Sequence, residues 1–475
     1  MLEENDKQQS SFRDSIATID DDGKRNWIYP KKPKGRYFKL RVWVSSVLLI
    51  LLFSGPYLRV FGQPLLLLNF IERKFIILGV IFWPQDFHLF FLAMIIFVVF
   101  IILFTVTLGR IWCGWACPQT IFMEMVFRRI EYFIEGGSGE QKRLKNMPWN
   151  WEKIWKRGLK FILFFTISFA IANTFLAYII GSDELINIIT DNPKNHVSGL
   201  SSILIFTMIF YFVFAWFREQ VCIVVCPYGR LQGVMQDSNT IMIAYNYLRG
   251  ENRSKVRKGE DRNKSQKGDC IDCHQCVAVC PTGIDIRNGT QLECINCTAC
   301  IDACDEIMEK VGFEKGLISY NSENGIIKNR KNLLTTKAKS YIAVLALLFS
   351  LLIFLLTSRT DVETVLLRAP GQLYQIEKEY ISNLYTYEVI NKTSKKQSIE
   401  FRLESHEGKI YPVGIPQIEV KEQNFIKGSV FIKLKRSDLE STKTEVEIGI
   451  YSHGIKIDEI STNFSGPNES KNKKR

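Results

Sequence analysis

The apolar residues of this chain are bunched, not spread. Runs of about 20 predominantly apolar residues, the length that crosses a bilayer core, occupy 42–61, 88–109, 160–181, 199–217 and 340–357. They predict five spanning helices. The first run carries Pro56 and Arg59 near one end, which a bilayer tolerates when neighbours satisfy the freed carbonyl and the arginine snorkels. A sixth apolar stretch, 65–83, is interrupted by Glu72, Arg73 and Lys74. At mid-bilayer each charge would cost about 2.5–3.5 kcal/mol, so this stretch reads as an interfacial or re-entrant segment. Beyond the last run the period changes to two: Ile399/Phe401/Leu403, Val430/Ile432/Leu434 and Val446/Ile448/Ile450 alternate with polar residues. Such alternation marks half-buried strands, and residues 358–475 predict a small antiparallel sandwich.

Basic residues set the orientation. Lys and Arg number ten in 1–42, ten in 109–160 and eighteen in 218–339, but two in 62–87 and one in 182–199. With five spans every basic segment faces the cytoplasm, as the positive-inside rule requires; a sixth span at 65–83 would put two of them outside. The amino terminus is therefore expected inside, without a signal peptide, and the carboxyl terminus outside. The formal charge of +12 is largely topological and calls for no nucleic acid partner.

Polar ends and linkers divide the rest. Residues 1–41 read as a cytoplasmic tail, mobile and chemically silent over 1–30. Residues 42–248 form the membrane domain with the first four spans. The charged stretch 249–267 reads as a solvated linker, 268–310 as a metal-binding module, 311–339 as a cytoplasmic connector, 340–357 as the fifth span, and 465–475 as a disordered end.

Eight of the 12 cysteines stand in two tandem runs, Cys270, Cys273, Cys276, Cys280 and Cys294, Cys297, Cys300, Cys304. Gaps of two, two and three residues let three thiolates wrap one 4Fe-4S cube while the fourth reaches the neighbouring cube. The crossed rule gives Cys270, Cys273, Cys276 and Cys304 to one cluster, and Cys294, Cys297, Cys300 and Cys280 to the other. Pro281 ends the first run in the ferredoxin manner; the second ends in Cys304-Asp305, a departure from that pattern. Zinc ribbons also use C-x2-C pairs, but two regular tandem copies favour clusters, and a disulfide framework would need an oxidising compartment.

The other four cysteines form an internal repeat. Arg110-Ile-Trp-Cys113-Gly-Trp-Ala-Cys117-Pro118 follows the second span, and Arg218-Glu-Gln-Val-Cys222-Ile-Val-Val-Cys226-Pro227 the fourth. If helical, each pair lies one turn apart on one face, and each proline suits the first position of a new helix. Two facing thiol pairs make a candidate soft-metal site for Cu(I), zinc or iron-sulfur; ordinary packing of small apolar side chains and a dithiol/disulfide relay are the alternatives. The five histidines offer no paired haem ligands within a span, and no phosphate-cradling glycine motif occurs.

The segments Arg110-Ile-Trp-Cys-Gly-Trp-Ala-Cys-Pro-Gln-Thr120, Cys226-Pro-Tyr-Gly-Arg-Leu-Gln-Gly-Val-Met-Gln-Asp237, and Gly268-Asp-Cys through Cys280-Pro-Thr-Gly-Ile-Asp-Ile-Arg287 to Cys304-Asp305 resemble the cytochrome c oxidase accessory protein CcoG/FixG (RdxA-like) family. The resemblance runs from the first span to residue 305, Asp305 included. It implies a polytopic α-helical protein of the bacterial inner membrane with an inserted cytoplasmic bacterial-type ferredoxin domain carrying two 4Fe-4S clusters. A C-terminal all-β immunoglobulin-like domain would stand in the periplasm. It implies a role in assembling cbb-type cytochrome c oxidase, with reduction of Cu(II) to Cu(I) on the cytoplasmic side by electrons from the clusters. By carry-over the eight ferredoxin cysteines are cluster ligands, and Cys113, Cys117, Cys222 and Cys226 are candidate copper or redox thiols. The implied partners are the oxidase assembly machinery, a copper transporter or chaperone and a cytoplasmic electron donor; a dimer is compatible with the sequence. The rival readings are a membrane ferredoxin relaying electrons between quinol and another reductase, and a non-catalytic assembly scaffold with structural clusters.

Overall fold

The computed structural model describes residues 17–19, 22–60, 62–70, 74–77, 80–82, 86–257, 262, 264–329, 334–358, 360–371, 374–377, 379–393, 395–414, 417–422, 424–439 and 442–467. The chain divides into two compact units, Met1–Leu351 and Leu352–Arg475.

Five helices of the described residues are long and apolar enough to cross a membrane: Arg36–Ser54, Phe87–Leu108, Trp151–Ile180, Val197–Phe217 and Thr336–Thr357. The protein is a multi-pass membrane protein. The first helix starts six residues before the predicted run and stops at Gly55-Pro56, so Arg59 lies beyond it, where its guanidinium meets Asp183 at 2.7 Å. The third starts at Trp151 because Asn150 caps it, its side chain accepting from Lys153 N at 3.0 Å. The added turns hold Lys153, Lys156 and Arg157, which hydropathy alone does not count as helix. The stretch 65–83 does not span: Leu66–Asn69, Lys74–Ile77 and Val80–Phe82 form a three-stranded antiparallel sheet with Leu66 opposite Ile77 and Phe75 opposite Phe82. The cost of a spanning helix here lies in burying the charged side chains of 72–74 in hydrocarbon, not in its backbone, which a helix satisfies internally. Glu72 and Arg73 lie outside the described residues.

Aromatic packing joins the spans. Phe122, Met123 and Phe127 pack with Phe164 and Ile171 of the third span and Phe214 of the fourth; Phe127 stacks on Phe214 with ring centroids 4.5 Å apart.

The segment between the fourth and fifth spans closes on itself through two antiparallel strands. Met242–Tyr245 leads into the cysteine runs and Ile318–Asn321 leads out, with Met242 opposite Asn321 and Tyr245 opposite Ile318. The module therefore extends well beyond 268–310. The described part of 249–267 belongs to it and is not a solvated linker: Arg249 pairs with Asp269, and Arg262 donates to the carbonyls of Ser254 at 3.2 Å and Cys270 at 3.2 Å. Tight loops leave carbonyls without partners, and arginine forks supply them.

The expected mobile tail is likewise corrected where it is described; residues 1–16, 20 and 21 lie outside. Lys31 N donates to the Ala278 carbonyl at 2.7 Å, Tyr132 donates its hydroxyl to the Pro30 carbonyl at 3.1 Å, and Arg25 meets Glu219 at 3.2 Å. Residues 22–35 strap the cysteine module to the helices below it.

The second unit is all-β. One sheet runs Gly408–Pro412, Phe425–Lys435, Tyr380–Asn391, Val362–Arg368, with Gln375–Glu377 also on Tyr380–Asn391; the other runs Ile418–Val420, Gln397–Leu403, Lys443–Ser452, Ile455–Ser465. The predicted alternation faces inward: Ile399, Val430, Ile432, Leu434, Val446, Ile448 and Ile450 are buried in one core, with Phe401 and Leu403 against its edge. Ser465 ends a strand, while 468–475 lie outside the described residues.

Candidate metal centres

The two cysteine runs adopt one backbone form. Asp272 and His274 flank Cys273 with φ of 53° and 53°, and Asn296 and Thr298 flank Cys297 with φ of 52° and 65°. Asn, Asp and His tolerate this left-handed region, but a β-branched threonine there is strained. Each loop is thereby bent around its middle cysteine.

Two cavities sit inside these bends. One of about 340 Å³ is lined by Cys270, Cys273, Cys276 and Cys304, with Tyr245, His274 and Arg287. The other, about 330 Å³, is lined by Cys280, Cys294, Cys297 and Cys300, and Cys276 lines it too. The crossed ligand sets thus gather as spacing predicts, and Cys276 forms a shared wall. Burial pushes the Cys276 and Cys304 thiols up to about 12, and Cys297 to about 11, so a metal must displace protons to bind. Among the described residues no three His, Cys, Asp or Glu side chains converge closely enough to hold one metal ion. Two sets of four cysteines, each lining its own cavity, suit cubes whose thiolates stand at separate iron corners. The residues present therefore fit two 4Fe-4S clusters.

The membrane thiols repeat a second backbone form. Gly109 ends the second span with φ 54° and ψ −126°, and Arg218 ends the fourth with φ 53° and ψ −125°, each four residues before the first cysteine. The structural register thus pairs Gly109 with Arg218, one residue off the alignment on arginines. Cys113 lies in the short helix Ile111–Trp115 and Cys222 in the π-helical turn Val221–Val225. Cys117 and Cys226 then take extended conformation as N-caps of new helices with Pro118 and Pro227 first. The condition that each pair lies within one continuous helix is not met, because the chain breaks at the second cysteine; each proline opens a new helix as expected.

The pairs meet each other and the module. Cys113 and Cys222 both pack against the buried group Val279, Ile295, Cys297 and Ala299. Cys113 Sγ donates to Gln232 Oε1 at 3.6 Å, a residue of the helix that Cys226 caps. Burial pushes the Cys222 thiol up to about 12, reinforced by Cys117, Cys113 and Cys226 and opposed by the Thr120 hydroxyl. Arg110 donates to the carbonyls of Gly229 and Leu292.

At Gly114 the two centres touch. A methyl group there would lie 2.7 Å from the Ile295 carbonyl oxygen and 2.7 Å from the Asn296 carbonyl carbon, so only glycine admits the approach. Arg41, 5% exposed, donates Nε to the Gly114 carbonyl and Nη1 to the Cys297 carbonyl, each at 2.9 Å. Trp115 Nε1 donates to the Tyr320 hydroxyl at 2.9 Å.

A buried ion network holds Arg218 in its strained conformation. Its guanidinium grips Glu131 with both ends, at 2.6 and 2.7 Å. Glu131 is held below the usual carboxylate range by Arg218 against the opposing pull of burial, while Arg128 pairs with Glu124 at 3.1 Å and Lys160 with Glu135 at 2.7 Å.

Arg41, Gly114, Asn296 and Gln232 are site residues that sequence reasoning missed. Arg41 looked like one more inside-positive charge, and Gly114 and Asn296 stand between cysteines without donor chemistry. Only the C-G-W spacing hinted that something presses close to Gly114.

This is a multi-pass membrane protein with iron-sulfur-binding domains. Models of a 4Fe-4S dicluster domain and a 4Fe-4S binding domain match residues 217–323 and 90–135, between them taking in all 12 cysteines, and a model of the IG-like fold at the C-terminal of FixG matches 352–467. The chain is 39% identical over 303 residues to Protein RdxB and 36% over 301 to Protein RdxA, both of Cereibacter sphaeroides, and 39% over 306 to the nitrogen fixation protein FixG of Rhizobium meliloti. Each match covers 62% of this chain, and 63%, 62% and 57% of the respective relative; the chain spans less than two thirds of these curated relatives. Among solved structures, a FixG-related protein from Vibrio parahaemolyticus aligns at 19% identity over 22% of this chain and 97% of its own, with a TM-score of 0.20. The chain is similar to these RdxA, RdxB and FixG proteins over the matched residues and carries the IG-like fold found at the C-terminal of FixG.

Proposed function

We propose that the protein is a cupric reductase at the cytoplasmic face of a bacterial inner membrane, serving assembly of cbb-type cytochrome c oxidase. The observation that carries this reading is the contact of Gly114 with Ile295 and Asn296, which seats the thiols of the span ends against the cluster loops.

In this reading Cys270, Cys273, Cys276 and Cys304 hold one 4Fe-4S cluster and Cys280, Cys294, Cys297 and Cys300 the other. When bound, the clusters supply one-electron storage. The chain's own residues do the rest. The left-handed turns at Asp272, His274, Asn296 and Thr298 fix the thiolates, and the apolar walls Ile243, Ile284, Ile286 and Ile295 keep water out. Arg41 clamps the Cys297 loop to the Cys113 loop. Cys113, Cys117, Cys222 and Cys226 present soft sulfur, either to Cu(II) arriving from the cytoplasm or as a redox relay toward it; soft sulfur retains Cu(I) in preference to harder cations. The basic segments support a position of these thiols at the inner leaflet. A cytoplasmic donor supplies the electrons, and a copper transporter or chaperone takes the product.

The test is made in cells. A Cys222→Ser/Cys226→Ser variant should insert normally yet lose at least nine tenths of the oxidase copper and activity. Normal oxidase in that strain would leave a scaffold role instead.

A further inference from the structure

A tyrosine hydroxyl meets a thiol of the first cysteine set. Tyr245, 5% exposed, ends the strand Met242–Tyr245 and is held opposite Ile318. It lines the cavity of Cys270, Cys273, Cys276 and Cys304 and packs in one buried group with Cys270, Cys276, Cys304 and Met308. Its hydroxyl bonds to the Cys270 thiol and, among the described residues, to no other group.

Gly250 is the second, independent observation. It closes the helical turn Tyr247–Gly250 and does not take the left-handed conformation, so its missing side chain serves space and not backbone. A methyl group there would meet the Tyr245 hydroxyl and lie 2.7 Å from Cε2 of the ring. Its carbonyl accepts from Cys270 N at 3.3 Å, so the residue that makes room for the hydroxyl also holds the cysteine. A buried hydroxyl must be bonded or it costs free energy. Burial, reinforced by Cys270, pushes Tyr245 up, which keeps the proton on its oxygen. Once Cys270 Sγ takes iron it has no proton to give and can only accept; the hydroxyl is then the donor. A donor aimed at a ligand sulfur favours the more negative, reduced state and so raises the potential.

We propose that the Tyr245 hydroxyl donates to Cys270 Sγ in the loaded protein and raises the reduction potential of the cluster held by Cys270, Cys273, Cys276 and Cys304. Cys273 is the exposed cysteine of the eight, so this set faces a soluble donor, and the bond strengthens its hold on the incoming electron. The inference rests on the ligand sets of the proposed function, not on copper reduction.

The test is a redox titration of the full-length protein, purified anaerobically with its clusters and followed by EPR. Tyr245→Phe removes the hydroxyl alone. It should keep the wild-type iron content and weaken the reduction of one cluster about tenfold, a fall of about 59 mV for one electron, leaving every other signal unchanged; Cys273→Ser, by altering its signal, identifies the Cys270 set. The phenylalanine variant should also lose one exchangeable-proton coupling from that signal in pulsed EPR, a readout that a packing role would not move. Gly250→Ala, which keeps the hydroxyl but displaces it, should lower the same potential, and adding it to Tyr245→Phe should lower it no further. Unchanged midpoints, or an equal shift of every signal, would overturn the proposal. Fewer than two clusters in the wild type would defeat the ligand sets and the proposal with them. Failure to reduce Cu(II), with Tyr245→Phe shifted as expected, would defeat the reductase reading alone and leave this inference standing.

Discussion

Arg41 donates to the backbone carbonyl of Cys297 at 2.9 Å from inside the first spanning helix. A buried guanidinium thus joins a helix of the membrane domain to the loop that carries a cluster ligand. Its other donor goes to Gly114, between the thiols of the first repeat. Hydrogen bonds to charged groups contribute about 1.5–3 kcal/mol each. Arg41→Met should therefore lower the detergent-solubilised protein's stability by about 3 kcal/mol. Thermal unfolding followed by loss of cluster absorbance measures it, and an unchanged midpoint would deny the clamp.

Gly114→Ala forces a methyl group against Ile295 and Asn296. Overpacking of this kind costs about 1–3 kcal/mol. The expected outcome is a protein that keeps the two ferredoxin clusters in EPR while its reoxidation by Cu(II) slows at least tenfold. Equal rates in wild type and variant would mean that electrons do not cross at this contact.

Arg218 and Glu131 form a two-pronged buried pair. Removing one partner strands the other charge and costs about 3–5 kcal/mol. Glu131→Ala and Arg218→Ala should each destabilise by that amount and the double variant by less than their sum. Additive effects in such a cycle would show that the pair is not coupled.

Asp302, beside the cluster ligands, accepts from the backbone N–H groups of Tyr37 at 3.1 Å and Phe38 at 2.7 Å. It caps the first span from another element. Losing such a cap costs about 0.5–2 kcal/mol. Asp302→Ala should make residues 30–41 more open to limited proteolysis while the clusters stay loaded; unchanged cleavage would deny the cap.

Much of this was legible in the chain. The two C-x2-C-x2-C-x3-C runs carry their pairing in their spacing, because a cube admits few arrangements, and the spans and strands follow from length and period. The helix starts did not show. Arg36 to Arg41 and Trp151 to Leu159 are helical through capping and packing against a neighbour, which hydropathy does not register. The segment 65–83 was readable as non-spanning but not as a sheet, since short apolar runs suit helix and strand alike. The docking of the two centres was hidden because Gly114 and Arg41 act through backbone carbonyls distant in sequence.

The most direct measurement mixes the anaerobically reduced, full-length protein with Cu(II) in a stopped-flow cell containing a Cu(I)-specific chelator. The account predicts cluster reoxidation many times faster than without copper, with one chelated Cu(I) for each electron lost. Reoxidation at the same rate with and without Cu(II) would contradict it.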